Sequence, residues 1–351
     1  MSPLTPPQSL LLRACMSPPG EARAYWREWR KSVDAGSLDA VSLFLLPLLR
    51  ERLEGWLAGD PAGPLLLGVC KQAWSANQLR LRNLQVLWKA LAARGVRGVV
   101  IGAAASALRA EGAAIPPLSS FEIMVPLDGV APALEEARRL GWHPRTALPE
   151  SAGEILKSRP WVPISNGGGA EWNLRWRRFS SAPDLACEAA AILAEGCAGA
   201  AWMGTTFTIP PPAWHLLETL ADEPYRERPF WFGEAVIALR QPIDWQEFRR
   251  LLEGCASPGG VLAKLRYLAC IGHTQIPHRL LDRPRGSWRL QRRIRSVYRD
   301  YRLWRSQAGQ EEPPRKLGRY LRIRWGARCA AELPLLALRA LAMHFRQAAD
   351  Q

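Results

Sequence analysis

The spacing of apolar positions changes along the chain, and the changes predict helical regions on both sides of a small sheet. Over residues 8–57 apolar side chains recur every three to four positions, which is typical of helices. A Pro- and Gly-rich break over residues 60–64 follows, and a long helix is predicted over residues 65–94, ending at Gly95. After the prolines of residues 210–212 the spacing is helical again to about residue 281. Helices therefore flank the central part of the chain.

The central part alternates between short apolar strands and helices. Strands are predicted over residues 98–101 and 121–125, with helices over residues 103–111 and 130–140. A further strand pair is predicted, joined by the turn Asn166-Gly-Gly-Gly; its strands cover residues 161–165 and 170–176. The sequence thus predicts an α+β fold with a small mixed β-sheet. Four regions are expected: residues 1–75 (helical), 76–210 (the sheet-containing core), 211–285 (helical) and 286–351 (a basic helical segment).

Composition narrows the class of protein. Hydrophobic residues make up 48% and charged residues 23% of the chain, which excludes an intrinsically disordered protein. The longest apolar runs are interrupted by Pro47 and Arg339 and fall short of the roughly 20 residues that span a bilayer. No basic segment precedes the first apolar run, so a secretory signal is not expected. Seven scattered cysteines without metal or redox spacing predict reduced thiols, and the expected location is the cytoplasm.

Two thirds of the net charge of +15 lies near the C-terminus. Residues 286–328 contain twelve Arg and one Lys against three acidic residues, which gives +10. Within this segment an apolar stripe at helical spacing alternates with arginines that could contact an acidic protein or a nucleic acid: Arg289, Arg292, Arg293, Arg295, Arg299 and Arg302. Three interpretations remain open: a solvated helix face, a nucleic-acid surface, and a surface for an anionic membrane or an acidic partner. The sequence contains no coiled-coil heptad pattern, so it does not predict an oligomeric state.

The candidate chemistry lies between residues 95 and 125. An apolar strand that ends at Gly102, a helix, and a second strand with an acidic residue is the arrangement of a metal–nucleotide site. Nucleotidyl transfer uses two divalent ions, which require hard carboxylate ligands. Because residues i and i+2 share a face of a strand, an Asp-x-Asp pair presents both carboxylates to the same ions. Here the two positions are Ser120 and Glu122. The glycine would let backbone amides approach the phosphates.

Several motifs in this order resemble the bacterial uncharacterised nucleotidyltransferases of the DNA polymerase β-like superfamily. Val99-Val-Ile-Gly corresponds to the family's apolar strand ending in Lys-Gly, and Ser120-Phe-Glu-Ile-Met-Val corresponds to Asp-Ile-Asp-Leu-Leu-Val. Ala170-Glu-Trp-Asn-Leu-Arg falls where an acidic residue precedes a Leu-His-Trp strand. The resemblance covers roughly residues 8–283. It implies a nucleotidyltransferase-like core that uses Mg²⁺ and a nucleoside triphosphate.

The departures from the family pattern cluster at the site itself. They are Ile101 for lysine, Pro116 for arginine, Ser120 for the first aspartate, Glu122 for the second and Asn173 for histidine. The resemblance implies that Glu122 and Glu171 are the catalytic carboxylates and metal ligands. It further implies a nucleotide-contacting set that consists of Gly102, Ala103, Ser120 and Arg175.

Structural alternatives exist for each candidate. Glu122 could be a solvent-facing carboxylate at the end of a strand, and Glu171 could pair with Arg175 on an exposed sheet face. Ser120 is a poor Mg²⁺ ligand because its hydroxyl is neutral. His215 lies among Trp and Leu and is expected to be a packed or capping side chain, while His273 and His278 flank a predicted loop. No signature of a Ser–His–Asp triad surrounds them.

The replacement of charged family residues at the site favours a binding scaffold over an active enzyme. The sequence predicts a diverged nucleotidyltransferase-like protein, a possible pseudoenzyme, whose degenerate metal site leaves reduced or no catalysis and whose scaffold binds a partner. The alternative is an active Mg²⁺-dependent nucleotidyltransferase that modifies a protein, a peptide or a small molecule.

Overall fold

The computed structural model describes residues 4–34, 36–110, 115–149, 151, 155–156, 161–176, 193, 197–221, 230–253, 258–272 and 276–281. Within these ranges the chain forms eleven α-helices, a mixed five-stranded sheet and a two-stranded hairpin. The predicted α+β class is confirmed. The basic helical segment predicted over residues 286–351, with its arginines, lies outside the described residues, as does His273.

The helices fall into two sets in chain order, one that ends before β3 and one that follows β7. The first set is α1 (Pro6–Met16), α2 (Pro19–Ser32), α3 (Ala40–Leu53), α4 (Gly63–Ala93), α5 (Gly102–Arg109) and α6 (Val130–Arg139). The second set is α7 (Pro212–Leu220), α8 (Trp231–Leu239), α9 (Trp245–Glu253), α10 (Pro258–Ile271) and α11 (His278–Leu281). The strands are β1 (Val99–Ile101), β2 (Phe121–Met124), β3 (His143–Pro144), β4 (Trp161–Ser165), β5 (Glu171–Arg175), β6 (Ala198–Trp202) and β7 (Thr205–Ile209).

The five-stranded sheet has the order β1-β2-β5-β4-β3. β2 and β5 run parallel, whereas the β1–β2, β4–β5 and β3–β4 pairs are antiparallel. The parallel pair is formed by segments about 50 residues apart in sequence, and its register places Glu122 beside Asn173. β6 and β7 form a separate antiparallel hairpin. One face of the sheet is apolar, and the other carries the polar residues of the candidate site.

Two large apolar cores fill the structure, and α4 contributes to both. The first core joins α1–α3 to helices α7–α11, with the first turns of α4 supplying Leu66 and Cys70. The second lies between the apolar sheet face, α5, α6 and the hairpin, and there α4 supplies Leu81, Leu84 and Leu87. The buried positions of α4 recur every three to four residues over its 31-residue length. The helical regions predicted over residues 1–75 and 211–285 therefore share one core.

Most predicted elements are found within one or two residues of their predicted ends. The Asn166 turn forms as expected, because Asn166 Oδ1 accepts hydrogen bonds from the amides of Gly168 (3.0 Å) and Ala170 (3.2 Å). The sequence pattern missed β3 and the β6–β7 hairpin. In the part of the chain that the structure describes, no helix is long and apolar enough to cross a membrane.

Glu136 on α6 is held by two arginines from different elements. Its side chain is 2% exposed, and its carboxylate accepts from Arg94 Nε at 3.1 Å and from Arg139 Nε at 2.9 Å. Hydrogen bonding to Arg139, followed by that to Arg94, lowers the pKa of Glu136 below its ordinary value of 4.5. This contact ties α6 to the end of α4.

Replacing Glu136 by glutamine should make the free energy of unfolding less dependent on pH in the acid range. A carboxyl group with a lowered pKa in the folded state stabilises the fold above its unfolded pKa, and that contribution is lost as the pH falls through the folded value. The native chain should therefore lose more stability than Glu136→Gln between pH 6 and pH 3, as measured by urea denaturation. The exposed neighbouring Glu135→Gln is the control. Equal acid sensitivity in the native chain and Glu136→Gln would contradict the prediction.

Candidate functional site

The turn from β1 into α5 forms one side of the candidate site. Ile101 ends β1, and Gly102 begins α5 with φ of +65°, a conformation that glycine adopts without strain. A Cβ added at Gly102 would lie 3.6 Å from Glu122 Oε1, so the turn and the carboxylate are neighbours. Ala103 follows in the first turn of α5 and is half-buried. The structure thus brings the predicted glycine turn and the predicted carboxylate together.

Glu122 lies in the middle of the sheet and is 3% exposed. Its neighbours across the two strand pairs are Ile101 on β1 and Asn173 on β5. Phe121 and Trp172, the next pair along, stack on the opposite face with ring centroids 6.0 Å apart. The interpretation of Glu122 as a solvent-facing carboxylate is therefore wrong: β2 is an interior strand of the sheet, and helix α7 lies over Glu122.

A buried ionic cluster surrounds Glu122. Arg175 Nη1 donates to Glu122 Oε2 at 3.0 Å and also contacts Glu218 Oε1 at 3.4 Å. The side chain of Arg175 is 1% exposed, and those of Glu122 and Glu218 are 4% and 1% exposed. We call these three residues the buried ionic cluster. Ion pairs shielded from water are strongly coupled, since solvent screening is weak there.

Helix α7 carries Glu218 and covers the polar face of the sheet. Trp214 lies one helical turn before Glu218, and it packs with Val99, Ile101 and Met124 in a small apolar cluster. His215 is fully buried, and its Nε2 lies 2.7 Å from the hydroxyl of Ser106 on α5. The expectation of a packed His215 is confirmed. Helix α7 thus covers the polar face around Glu122 and Arg175, whereas Glu171 at the other end of β5 is 44% exposed.

Of the other predicted site residues, Glu171 lies well away from the buried ionic cluster. Glu171 is the first residue of β5 and Arg175 the last, so their Cα atoms are about 13 Å apart along the strand. Glu171 is 44% exposed and pairs with Arg145 Nη1 at 2.8 Å, so the suggested Glu171–Arg175 pair is wrong. Ser120 precedes β2, and Asn173 lies beside Glu122; both are half-buried.

The segment before β2 is fixed by Asn77 of α4. Its side chain is 1% exposed, and it donates from Nδ2 to the Pro116 carbonyl at 3.0 Å while its Oδ1 accepts from the Leu118 amide at 2.7 Å. Pro116 stands at the position expected for an arginine in the family pattern, and here it contributes its backbone carbonyl. Asn77 therefore sets where the strand that carries Glu122 begins.

Among the described residues no group of three or more His, Cys, Asp and Glu side chains is arranged to hold a metal ion. No protein-family model matches the chain, and no curated protein matches it either. The resemblance to nucleotidyltransferases therefore stays a prediction from the motifs and their order.

Sequence reasoning missed Glu218, Ser106 and Arg145 as partners of the candidate residues. Glu218 follows Trp214 by four positions on a helix rich in Trp and Leu, and a carboxylate on such an apolar stretch is a signal that it meets a buried cation. Arg145 and Ser106 carry no comparable signal, because each contacts a residue far away in sequence.

Proposed function

We propose that this protein is a nucleotidyltransferase-like scaffold that has lost nucleotidyl transfer and acts by binding a partner. The single observation that carries the proposal is the guanidinium of Arg175, which lies 3.0 Å from the carboxylate that the family resemblance assigns to the metal. A cation of the protein takes the place that a catalytic cation would need.

Electrostatics explain why the guanidinium and a metal would compete. Two unit charges 4 Å apart interact by about 4 kcal/mol at a partly screened protein site, and a divalent ion doubles that repulsion. Binding of Mg²⁺ by Glu122 would therefore require Arg175 to leave. Arg175 is buried and also contacts Glu218, so its departure would leave a second buried carboxylate without this contact.

The donor set fits Mg²⁺ poorly. Mg²⁺ is bound by hard oxygens in near-octahedral geometry and usually through one or two carboxylates plus the phosphates of the substrate. Glu122 is the one carboxylate on β2, and Glu171 binds Arg145 at the far end of β5. Ser120 offers a neutral hydroxyl. Trp214 and Glu218 cover the face from which a nucleotide would have to approach.

The alternative is an active Mg²⁺-dependent enzyme, and one observation favours it. Gly102 keeps the left-handed conformation, and its Cα has no side chain between it and Glu122. That arrangement would suit a phosphate beside the carboxylate if α7 moved away. The acceptor would then be a protein, a peptide or a small molecule.

The partner of the scaffold is proposed to be acidic. The chain carries a net charge of +15, and the six arginines of residues 289–302 belong to the strongly basic segment of residues 286–328, which carries +10. We propose an acidic protein or a nucleic acid as partner, in the cytoplasm. If nucleic acid is the partner, affinity should fall steeply as salt rises.

Calorimetric titration with ATP, GTP, CTP and UTP, each with and without Mg²⁺ or Mn²⁺, tests the proposal. We expect no metal-dependent binding by the native chain. Glu122→Gln, which keeps the shape of the side chain, and the exposed Glu135→Gln should behave alike. Metal-dependent binding that is lost in Glu122→Gln and kept in Glu135→Gln would overturn the scaffold proposal and support the enzyme.

A further inference from the structure

One side of α4 is exposed, apolar in part and basic. Successive helical residues are 100° apart, so a group of positions spread over residues 67–89 lies within one solvent-facing sector of about 140°. Its apolar members are Leu67, Trp74, Leu79 and Val86, which are 46%, 55%, 68% and 51% exposed. Its basic members, all exposed, are Lys71, Arg82 and Lys89. We call these seven residues the α4 face. It extends over about 33 Å.

The charge of this surface has a single sign. The 31 residues of α4 include two lysines and two arginines and no aspartate or glutamate. The adjoining hairpin, from Ala198 to Ile209, also lacks acidic residues. The cations of the α4 face therefore have no counter-charge on either element, and the surface is complementary to an anionic partner.

The β6–β7 hairpin adds an apolar tip beside the α4 face. Gln85 Nε2 donates to the Met203 carbonyl at 3.0 Å and to Thr205 Oγ1 at 2.8 Å, and Trp88 Nε1 donates to the Thr206 carbonyl at 3.1 Å. These bonds fix the turn against α4. Met203 is 74% exposed, the largest exposure among the large apolar side chains of the described residues.

Met203 occupies this tip in an unfavourable backbone conformation. Its φ of +44° makes it the one residue other than glycine with positive φ in the part of the chain described by the structure, and Gly204 follows with φ of +72°. A two-residue turn of this kind favours Asn-Gly or Asp-Gly. A flexible apolar side chain is thus displayed where a small polar one would suit the fold better, and backbone strain of this sort clusters at functional positions.

We propose that the α4 face and Met203 bind the surface of an anionic lipid membrane. Exposed apolar side chains beside lysine and arginine are the chemistry of interfacial binding, in which aliphatic and Trp side chains enter the headgroup region and the cations contact lipid phosphates. The apolar members are mostly aliphatic, and they project from one helix and a hairpin tip, both convex. Single-stranded nucleic acid would call for aromatic stacking platforms, and a folded protein would have to supply a matching concave surface.

Co-sedimentation of the full-length chain with lipid vesicles tests the proposal. Vesicles of phosphatidylcholine with about one third phosphatidylglycerol provide the anionic surface, and pure phosphatidylcholine vesicles provide the neutral one. We expect binding to the anionic vesicles that weakens as salt is raised, and at least tenfold weaker binding to the neutral vesicles. Equal binding to both, or none to either, would overturn the proposal.

Variants separate the α4 face from the other basic parts of the chain. Arg82→Gln/Lys89→Gln should weaken vesicle binding by roughly tenfold or more, since each cation near an anionic surface contributes about fivefold. Lys31→Gln/Arg249→Gln removes the same charge from exposed positions on α2 and α9 and should leave binding within about twofold. If the two double variants lose binding equally, net charge or the C-terminal arginines bind the vesicles, and the α4 face does not.

The apolar part is tested by a substitution that favours the fold. Met203→Asn replaces the exposed side chain by one that accepts positive φ, so the protein should be at least as stable as the native chain. Met203→Asn combined with Leu79→Gln and Val86→Gln should weaken vesicle binding at least tenfold, with unchanged circular dichroism. Unchanged vesicle binding by this variant would overturn the insertion of apolar side chains. Vesicle binding that is displaced equally by a random-sequence RNA and by a polyglutamate peptide would identify a general anion surface and overturn the lipid assignment.

Discussion

Replacing Arg175 by methionine is expected to destabilise the protein by about 3–5 kcal/mol. The substitution keeps much of the side-chain volume and removes the guanidinium that contacts Glu122 at 3.0 Å and Glu218 at 3.4 Å. Both carboxylates would remain buried in the centre of the fold without that cation. Urea denaturation followed by Trp fluorescence gives the free energy of unfolding, and the midpoint should fall with little change in slope.

A double variant that also neutralises Glu122 tests whether Arg175 and Glu122 interact directly. Arg175→Met combined with Glu122→Gln should lower the free energy of unfolding by less than the sum of the losses in the two single variants, because the two side chains are in direct contact. Arg249→Met is the matched control: Arg249 is 62% exposed and lies 3.9 Å from Glu253, so it should cost well under about 1 kcal/mol. A loss of under about 1 kcal/mol for Arg175→Met, or strict additivity in the double variant, would mean that the buried ionic cluster is not formed.

Replacing Asn77 by alanine is expected to cost about 2–4 kcal/mol. The variant would leave the Pro116 carbonyl and the Leu118 amide without the side-chain amide that binds both, and an unsatisfied buried backbone group costs about 1–3 kcal/mol. Because these residues precede β2, the loss should also loosen the strand that carries Glu122. Hydrogen exchange of the amides of residues 121–124 should quicken relative to those of α1.

Asn83 gives the matched control for this prediction. It lies on the same helix, is half-buried, and has the same side chain as Asn77. Asn83→Ala should be neutral or stabilising by a few tenths of a kcal/mol, because alanine is the better helix former. Equal stability losses for the two variants would show that helix propensity, and not the bridge to the 116–118 segment, governs position 77.

Local patterns were sufficient for most of the fold. The buried positions of α4, spaced by three and four residues, predict a long helix, and the apolar strand before Gly102 predicts β1. Both depend on residues close together in sequence, where period and capping are informative. The β6–β7 hairpin escaped prediction because Met203-Gly204 is not a common hairpin turn pair, and Gly199, Ala200 and Ala201 have low strand propensity.

Two of the candidate site residues, Glu122 and Gly102, lie together in the structure, but the contacts of Glu122 were not predicted. The sequence located Glu122 and Gly102 side by side, since strand, turn and helix follow one another along the chain. Its counter-ion depends on the parallel pairing of β2 with β5, which brings Arg175 near from 53 residues away. The covering helix α7 adds Glu218 from a further 43 residues along. Such contacts follow from tertiary packing, and no local period encodes them.

The shared use of α4 by both cores has a consequence for how the protein can be divided. Leu66 belongs to the first core and Leu87 to the second, on one uninterrupted helix. A cut within residues 63–93 would give each fragment a half-helix whose apolar face is designed for a core that it no longer has. Because both cores include residues of α4, we expect no fragment that ends within this helix to fold independently.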